Sequence, residues 1–504
     1  MSRTEALVLV GHGSQRHPDS SAPLFAHAER IRERGIFEEV HTAFWKEEPA
    51  LWDVRHVVEA DVAYVVPALT SEGYFADEVF PRELGVGYRE SGSSPWQPEL
   101  RYAEPVGTHE SMTDVLADRV EGAIEGPASE VGVAVVGHGT ERNANSAAAT
   151  ERHAAALSER DEYAEVTALF LDEAPFVADV IDHLDADELV VVPFFVADGY
   201  HASRDVPDAM GHPGIGQTAT VSGRTVHYTG AVGTEPSLAD VLIERAIEAG
   251  ATNRSGRRPD DGSQSKRAFV EWVDASTTGR KWGELVVAGD PDGYELRHRE
   301  DATTSRDTLE TVHSPAALRQ RVRHEDHGRY RPLAGAATLP TGWVHRAADA
   351  AELARAIRTV YPASVEHWYR ELTGDLRVTD VEETVRRQTG VYGELDGLDQ
   401  NELAAATEAV CGTCARRRRW VADVDEPRGE PRGEIPCREA CPFFLTATHA
   451  FLESDGEAAD EPDPEVSVYA LSNSANEYRV RYATAREGHR ETDGPTLTTD
   501  GGSP

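Results

Sequence analysis

Along the first half of the chain, apolar runs of four to six residues alternate with longer stretches whose apolar positions recur every three or four residues. The runs at 7–10, 62–66, 131–136 and 189–192 are rich in valine and bounded by turn residues, the signature of buried strands. The pattern predicts strands at 6–10, 39–44, 62–67 and 101–106, and helices at 23–34, 50–58, 76–84 and 111–124. Short apolar strands separated by helices imply βα units and a parallel sheet covered on both faces.

The pattern repeats. Leu9-Val10-Gly11-His12-Gly13-Ser14 returns as Val135-Val136-Gly137-His138-Gly139-Thr140, an offset of 126 positions. The same offset links Arg16 to Arg142, Phe44 to Phe170, Glu47 to Glu173, Pro67 to Pro193, Gly73-Tyr74 to Gly199-Tyr200 and Val106-Gly107-Thr108 to Val232-Gly233-Thr234, without a gap. Residues 1–125 and 126–250 are therefore expected to be two copies of one doubly wound α/β domain.

Past residue 250 the pattern changes. Residues 251–266 lack an apolar period and predict an exposed linker. Runs at 267–273, 284–287 and 294–299 predict short strands, and 316–323, 348–360, 381–389 and 402–410 predict helices. The region 267–454 thus predicts an α+β domain, and the acidic stretch 455–504 a mostly mobile tail.

Charge narrows the partners. The chain has 504 residues with 89 Asp+Glu against 50 Lys+Arg, a net charge of −39, and its only lysines are Lys46, Lys266 and Lys281. A surface this acidic repels phosphate backbones and anionic lipid, which excludes nucleic acid and membranes as partners of the bulk surface. Excess carboxylate with almost no lysine instead fits a protein that stays soluble at molar salt, where charges are screened within about 3 Å. No apolar run reaches the length of a membrane span, and the N-terminus has no leader pattern, so a soluble cytoplasmic protein is expected.

In open parallel sheets, ligands gather at the carboxyl edge. His12 and His138 each follow the first strand of their copy between glycines, and His201 follows the third strand of the second copy, where the first copy has Phe75. Only the second copy can bring two imidazoles to one edge. Two neutral imidazoles suit divalent cobalt, nickel, iron or zinc in an open, exchangeable site.

These residues resemble the class II tetrapyrrole chelatases of the CbiX/SirB type. The resemblance is carried by Gly137-His138-Gly139-Thr140, Phe170-Leu171-Asp172-Glu173 and Pro193-Phe194-Phe195 through Gly199-Tyr200-His201 to Asp205-Val206-Pro207. It implies a sirohydrochlorin cobaltochelatase of cobalamin synthesis. His138 and His201 would bind the substrate metal Co²⁺ and take up pyrrole protons, with Glu173, or Asp172 beside it, as the acidic helper. Its macrocycle carries eight carboxylates, so a local cationic patch is expected, with Arg142 and Arg204 on the second copy and Arg16 on the first as its members. The first copy departs from the pattern at Phe75 and Val79, which leaves His12 to line the cleft. The internal duplication is compatible with a monomer.

The four cysteines lie within 31 residues, as Cys411-Gly412-Thr413-Cys414 and Cys437-Arg438-Glu439-Ala440-Cys441. Two close pairs in a reducing compartment indicate a metal centre rather than disulfides. Zinc remains open on spacing alone. The three-residue gap in the second pair, and Pro442 after it, favour a [4Fe–4S] cluster, with 416–419 supplying four arginines beside it. The region 267–445 also resembles the C-terminal part of long chelatase-like proteins that carry such a cluster, through the cysteines, Tyr330-Arg331-Pro332-Leu333 and Gly342-Trp343. Fe²⁺ or Ni²⁺ as the inserted metal, and a noncatalytic carrier or redox sensor in place of an enzyme, are the competing readings.

Overall fold

The computed structural model describes residues 3–449 apart from several stretches, the longest being 87–97, 140–144, 254–262, 325–330, 332–338, 387–392 and 415–432. The predicted tail 455–504 lies outside the described residues.

Repeat 1 forms a parallel sheet from β1 (Glu5–Gly11), β2 (Glu39–Phe44), β3 (Val62–Pro67) and β4 (Glu99–Tyr102), in the order β2-β1-β3-β4. Repeat 2 forms β5 (Val131–Gly137), β6 (Glu165–Phe170), β7 (Glu188–Pro193), β8 (Gln217–Val221) and β9 (Arg224–Tyr228), in the order β6-β5-β7-β9-β8. In repeat 2, β8 and β9 pair as an antiparallel hairpin; the counterpart of β8 in repeat 1 falls at 91–95, outside the described residues. Period-2 side-chain alternation decides which core each strand residue joins. Leu7 and Leu9 of β1, with Val133 and Val135 of β5, enter one apolar cluster shared by both repeats. Val8 and Val10 face the outer cluster of repeat 1, and Ala134 and Val136 face that of repeat 2.

The repeats also exchange hydrogen bonds in register. His27 Nε2 lies 2.8 Å from the Gly233 carbonyl, and His153 Nε2 lies 2.8 Å from the Gly107 carbonyl. Arg119 donates to Thr234 Oγ1 and Arg245 donates to Thr108 Oγ1. Each pair maps onto the other through the offset of 126, so the two copies meet about a pseudo-two-fold axis. A Cβ on Gly107 would lie 2.2 Å from the Thr70 carbonyl oxygen, and one on Gly233 2.2 Å from that of Val196, which is why Val-Gly-Thr recurs.

The third region has a mixed sheet of β10 (Arg280–Trp282), β11 (Leu285–Asp290), β12 (Gly293–His298), β13 (Glu310–Val312) and β14 (Trp343–Ala347), ordered β10-β11-β12-β14-β13. The strand expected at 267–273 is instead part of the helix Gln264–Asp274. Its Ala-Phe-Val and Trp-Val pairs fit either period. Burial of Phe269 and Val273 four residues apart, and a Ser263 side chain that accepts from Lys266 N–H, give the helix its apolar stripe and its cap. The helix begins inside the stretch expected to be an exposed linker. Ser263, Ser265 and Lys266 are buried because the Glu59 carboxylate of repeat 1 receives Gln264 N–H at 2.6 Å and Ser263 Oγ at 3.1 Å. The helices expected at 316–323, 348–360 and 402–410 appear as Pro315–Arg323, Ala350–Val360 and Gln400–Cys411.

Candidate functional site

The second repeat assembles its histidines at the carboxyl edge of its sheet. His138 is the residue after β5, and His201 opens the π-turn His201–Asp205 beyond β7. Their ring centroids are 4.7 Å apart with the planes at 88°. Both are open to solvent, His138 being 40% and His201 51% exposed.

Carbonyl and carboxylate partners fix which nitrogen carries the proton. His138 Nδ1 is 2.8 Å from the Gly139 carbonyl oxygen, which can only accept, so Nδ1 donates and Nε2 keeps its lone pair. His201 Nδ1 donates to Asp205 Oδ2 at 2.7 Å, leaving Nε2 in the same state. Two unprotonated nitrogens on adjacent perpendicular rings are suited to hold a divalent cation and to accept protons after it leaves.

The acidic residues flank His138 from β6. Asp172 Oδ2 stands 3.5 Å from His138 Nδ1. Glu173 packs beneath the turn, where a Cβ on Gly139 would come within 2.7 Å of its Cγ and Oε1. Gly139 also has φ +68°, so glycine is required here by both conformation and space. Arg204 lies exposed in the same π-turn as His201, whereas Arg142 and Arg16 lie outside the described residues.

The first repeat uses the same scaffold differently. His12 Nδ1 again donates to the following glycine carbonyl at 2.8 Å, but its ring is boxed by Trp45 at 5.1 Å and Phe75 at 5.0 Å. Lys46 lies 4.1 Å over Trp45. Glu47, the counterpart of Glu173, is fully buried and pairs with Arg319 from the third region. Ser14 N–H also donates to Glu47 at 2.9 Å. Burial pushes the Glu47 carboxyl up, against the pull of Arg319. Arg319 bonds Ser21 Oγ as well and lies 4.6 Å over Phe25. Among the described residues, repeat 1 thus places His12 at this edge with Phe75 in the position of His201, and encloses its acid with another part of the chain.

An open cavity of about 540 Å³ at the seam between repeats is lined by Thr108, Asp114, Arg152, His153 and Arg160 among others, and by neither site histidine. Its polar groups are engaged with each other: Arg160 pairs with Asp114 at 2.6 Å, and His153 bonds Thr113 and Gly107.

All four cysteines are half-buried. Cys411, Cys437 and Cys441 pack against one small apolar cluster containing Val381, Leu403 and Phe444. The pairing of Thr379 with Ile435 brings the second pair's segment to that core. Phe444 N–H lies 3.5 Å from Cys441 Sγ, a donor of the kind that supports bound thiolates. Among the described residues no three His, Cys, Asp or Glu side chains are gathered as a preformed metal cage. The donor set and its placement fit an iron–sulfur centre; a finished ligand geometry is absent from the described residues.

Comparison with known proteins follows the same division. The CbiX family model matches residues 6–123 and again 132–249. A probable sirohydrochlorin cobaltochelatase of Halobacterium salinarum is 45% identical over 271 residues, covering 49% of this chain and 92% of that relative. The chain belongs to the CbiX chelatase family. A sirohydrochlorin cobaltochelatase of Methanocaldococcus jannaschii is 31% identical over 142 residues, 99% of its length but 23% of this chain. Beyond the CbiX repeats, residues 265–372 match the DR2241 stabilising domain and 373–449 a 4Fe-4S iron-sulfur cluster binding domain. The crystal structure of DR2241 from Deinococcus radiodurans, described as multi-domain, similar to chelatases and carrying two additional novel domains, covers 90% of this chain and 100% of its own at TM-score 0.68 and 28% identity.

Asp205 was legible in the sequence only as part of a motif; its spacing of four from His201 was the signal for a contact. The Arg319–Glu47 pair, 272 positions apart, left no local signal. No helix among the described residues is long and apolar enough to cross a membrane.

Proposed function

We propose that this chain inserts Co²⁺ into a sirohydrochlorin-type tetrapyrrole, with repeat 2 carrying the chemistry. The observation that carries the reading is the perpendicular His138–His201 pair with both Nδ1 atoms occupied as donors. The cation rests on the two Nε2 atoms, a weak set that lets it leave for the macrocycle nitrogens. Insertion releases two pyrrole protons. The vacated Nε2 atoms accept them, and Asp205, Asp172 and Glu173 stabilise the resulting cations. The open site leaves room for a planar macrocycle, and Arg204 offers its carboxylates a counter-charge. His12, boxed by Trp45 and Phe75, lines the cleft without a metal role.

Cys411, Cys414, Cys437 and Cys441 would hold a [4Fe–4S] cluster, which supplies a structural or electron-transferring centre. Four thiolates saturate the cluster's irons, so it takes no substrate. Because three of the cysteines pack on the small apolar core around Phe444, cluster binding and folding of that region are coupled. The net charge of −39 supports work in the cytoplasm at molar salt.

The test is anaerobic incubation of the protein in molar salt with sirohydrochlorin and each of Co²⁺, Fe²⁺ and Ni²⁺, following the macrocycle absorbance. The reading expects insertion fastest with Co²⁺, abolished by His201→Ala and far less affected by His12→Ala. Faster insertion of Fe²⁺ or Ni²⁺ at equal metal would reassign the substrate metal. No acceleration with any metal would leave a carrier or sensor as the better reading.

A further inference from the structure

The π-turn after β7 raises the question of what holds His201 in place. Its ring projects from an exposed turn, and Asp205 is its only hydrogen-bond partner among the described residues. His138, by contrast, is pinned by the backbone of its own turn. An imidazole without an Nδ1 acceptor samples both tautomers and rotates about its side-chain bonds, so that Nε2 presents a lone pair to the shared space only part of the time.

The chain contains its own comparison. Repeat 1 forms the same five-residue π-turn, Phe75–Val79, with φ and ψ of the flanking residues close to those of His201–Asp205. There the imidazole is replaced by Phe75 and, four residues on, the carboxylate by Val79. Ring nitrogen and acceptor are absent together from the copy whose slot is filled by Trp45, and present together in the copy whose slot is open. Asp205 contributes little to holding the fold, because its side chain is 38% exposed and its partner 51%, and exposed pairs of this spacing are weak. Its effect is on direction.

We propose that Asp205 is a positioning residue for metal delivery: by accepting the Nδ1 proton of His201 it fixes the ring with Nε2 facing the Nε2 of His138, and so assembles the two-nitrogen cation site before substrate arrives. This rests on the reading of His201 as a ligand of the substrate metal. Such outer carboxylates typically change metal affinity 10–100-fold when removed.

The experiment compares full-length wild type with Asp205→Ala, Asp205→Asn and Asp205→Val, the last reproducing the residue of repeat 1. Three quantities are read at one pH in molar salt: the ¹⁵N shifts of His201 in the metal-free protein, Co²⁺ affinity from its visible absorption, and steady-state turnover of sirohydrochlorin. The proposal expects wild-type His201 protonated at Nδ1 and a tautomer mixture in Asp205→Ala and Asp205→Val. Co²⁺ affinity should fall roughly 10–100-fold in both. The rate should fall with it, while KM for the macrocycle and the thermal midpoint stay near wild type. Asp205→Asn, whose amide oxygen still accepts from Nδ1, should recover part of the affinity. An unchanged tautomer and unchanged Co²⁺ affinity in Asp205→Ala would overturn the proposal, as would a loss that comes with a lowered thermal midpoint and is not recovered by asparagine. If wild type inserts no metal at all, the chelatase reading falls, and the tautomer and affinity measurements still decide the role of Asp205.

Discussion

Arg319, carried by the third region, pairs with Glu47 at the position where the second repeat leaves Glu173 beside an open histidine. The guanidinium is 9% exposed and the carboxylate fully buried, so each neutralises a charge that the other would leave stranded. Arg319→Met should destabilise the chain by about 3–5 kcal/mol. Denaturant unfolding followed by tryptophan fluorescence, which reports the Trp282–Trp343–Trp368 core, checks it. Adding Glu47→Gln should restore much of the loss. Turnover by the folded fraction should be unaffected, because the pair belongs to the copy without a second imidazole.

A matched pair of substitutions separates stability from chemistry. Gly139→Ala drives a methyl into Glu173, and Gly13→Ala drives one into Glu47, each at a backbone φ that disfavours alanine. Gly139→Ala should reduce turnover on the order of tenfold to 100-fold by displacing Glu173 and the His138 turn. Gly13→Ala should lower stability and leave the rate per folded molecule near wild type. Gly211→Ala, with φ +69° and no atom within 4 Å of the added methyl, controls for backbone strain alone.

The paired histidines at the seam predict how acid acts on the repeats. Burial pushes His27 and His153 down from 6.5 to about 4, so both stay neutral in the folded chain. Between pH 6.5 and 4 the unfolded chain binds these protons and the folded chain does not, so stability falls as pH falls through that window. Each histidine contributes on the order of 3 kcal/mol of this loss. Replacing both by glutamine, whose amide N–H can still reach the Gly233 and Gly107 carbonyls, should flatten the dependence in a series of denaturation curves from pH 7 to 4.

Removing a thiolate tests the cysteine region. Cys411→Ser should abolish the broad, reducible visible absorbance of an iron–sulfur centre and increase proteolysis around Phe444, while the absorbance of inserted macrocycle still develops. Retention of that centre with stoichiometric zinc would replace iron–sulfur by a zinc site.

Sequence alone carried β1, β3, β5 and β7, because these central strands are buried along nearly their whole length and read as continuous valine-rich runs between turns, whereas the half-exposed edge strand Glu99–Tyr102 lies ahead of the expected 101–106. It also carried His12, His138 and His201 to the sheet edge, since a residue following a parallel strand has nowhere else to go. It failed at 267–273, where Phe269 and Val273 look the same to a strand and to a helix until Ser263 caps the turn. It failed again at Lys266, which composition assigned to a solvated linker but which lies buried on repeat 1. The closure of Glu47 by Arg319 could not be read at all, for it depends on a contact between regions that have no shared pattern.

The reciprocal bonds of His27 with Gly233 and His153 with Gly107 have the form of a symmetric dimer joined into one chain. In a true homodimer every change to one surface is imposed on its twin, and anything that docks on one subunit must dock on both. Fusion removes that bond between the faces. One half was then able to surrender its slot to a third domain as a foundation, while its twin kept an unobstructed mouth, a division of labour that identical subunits cannot reach.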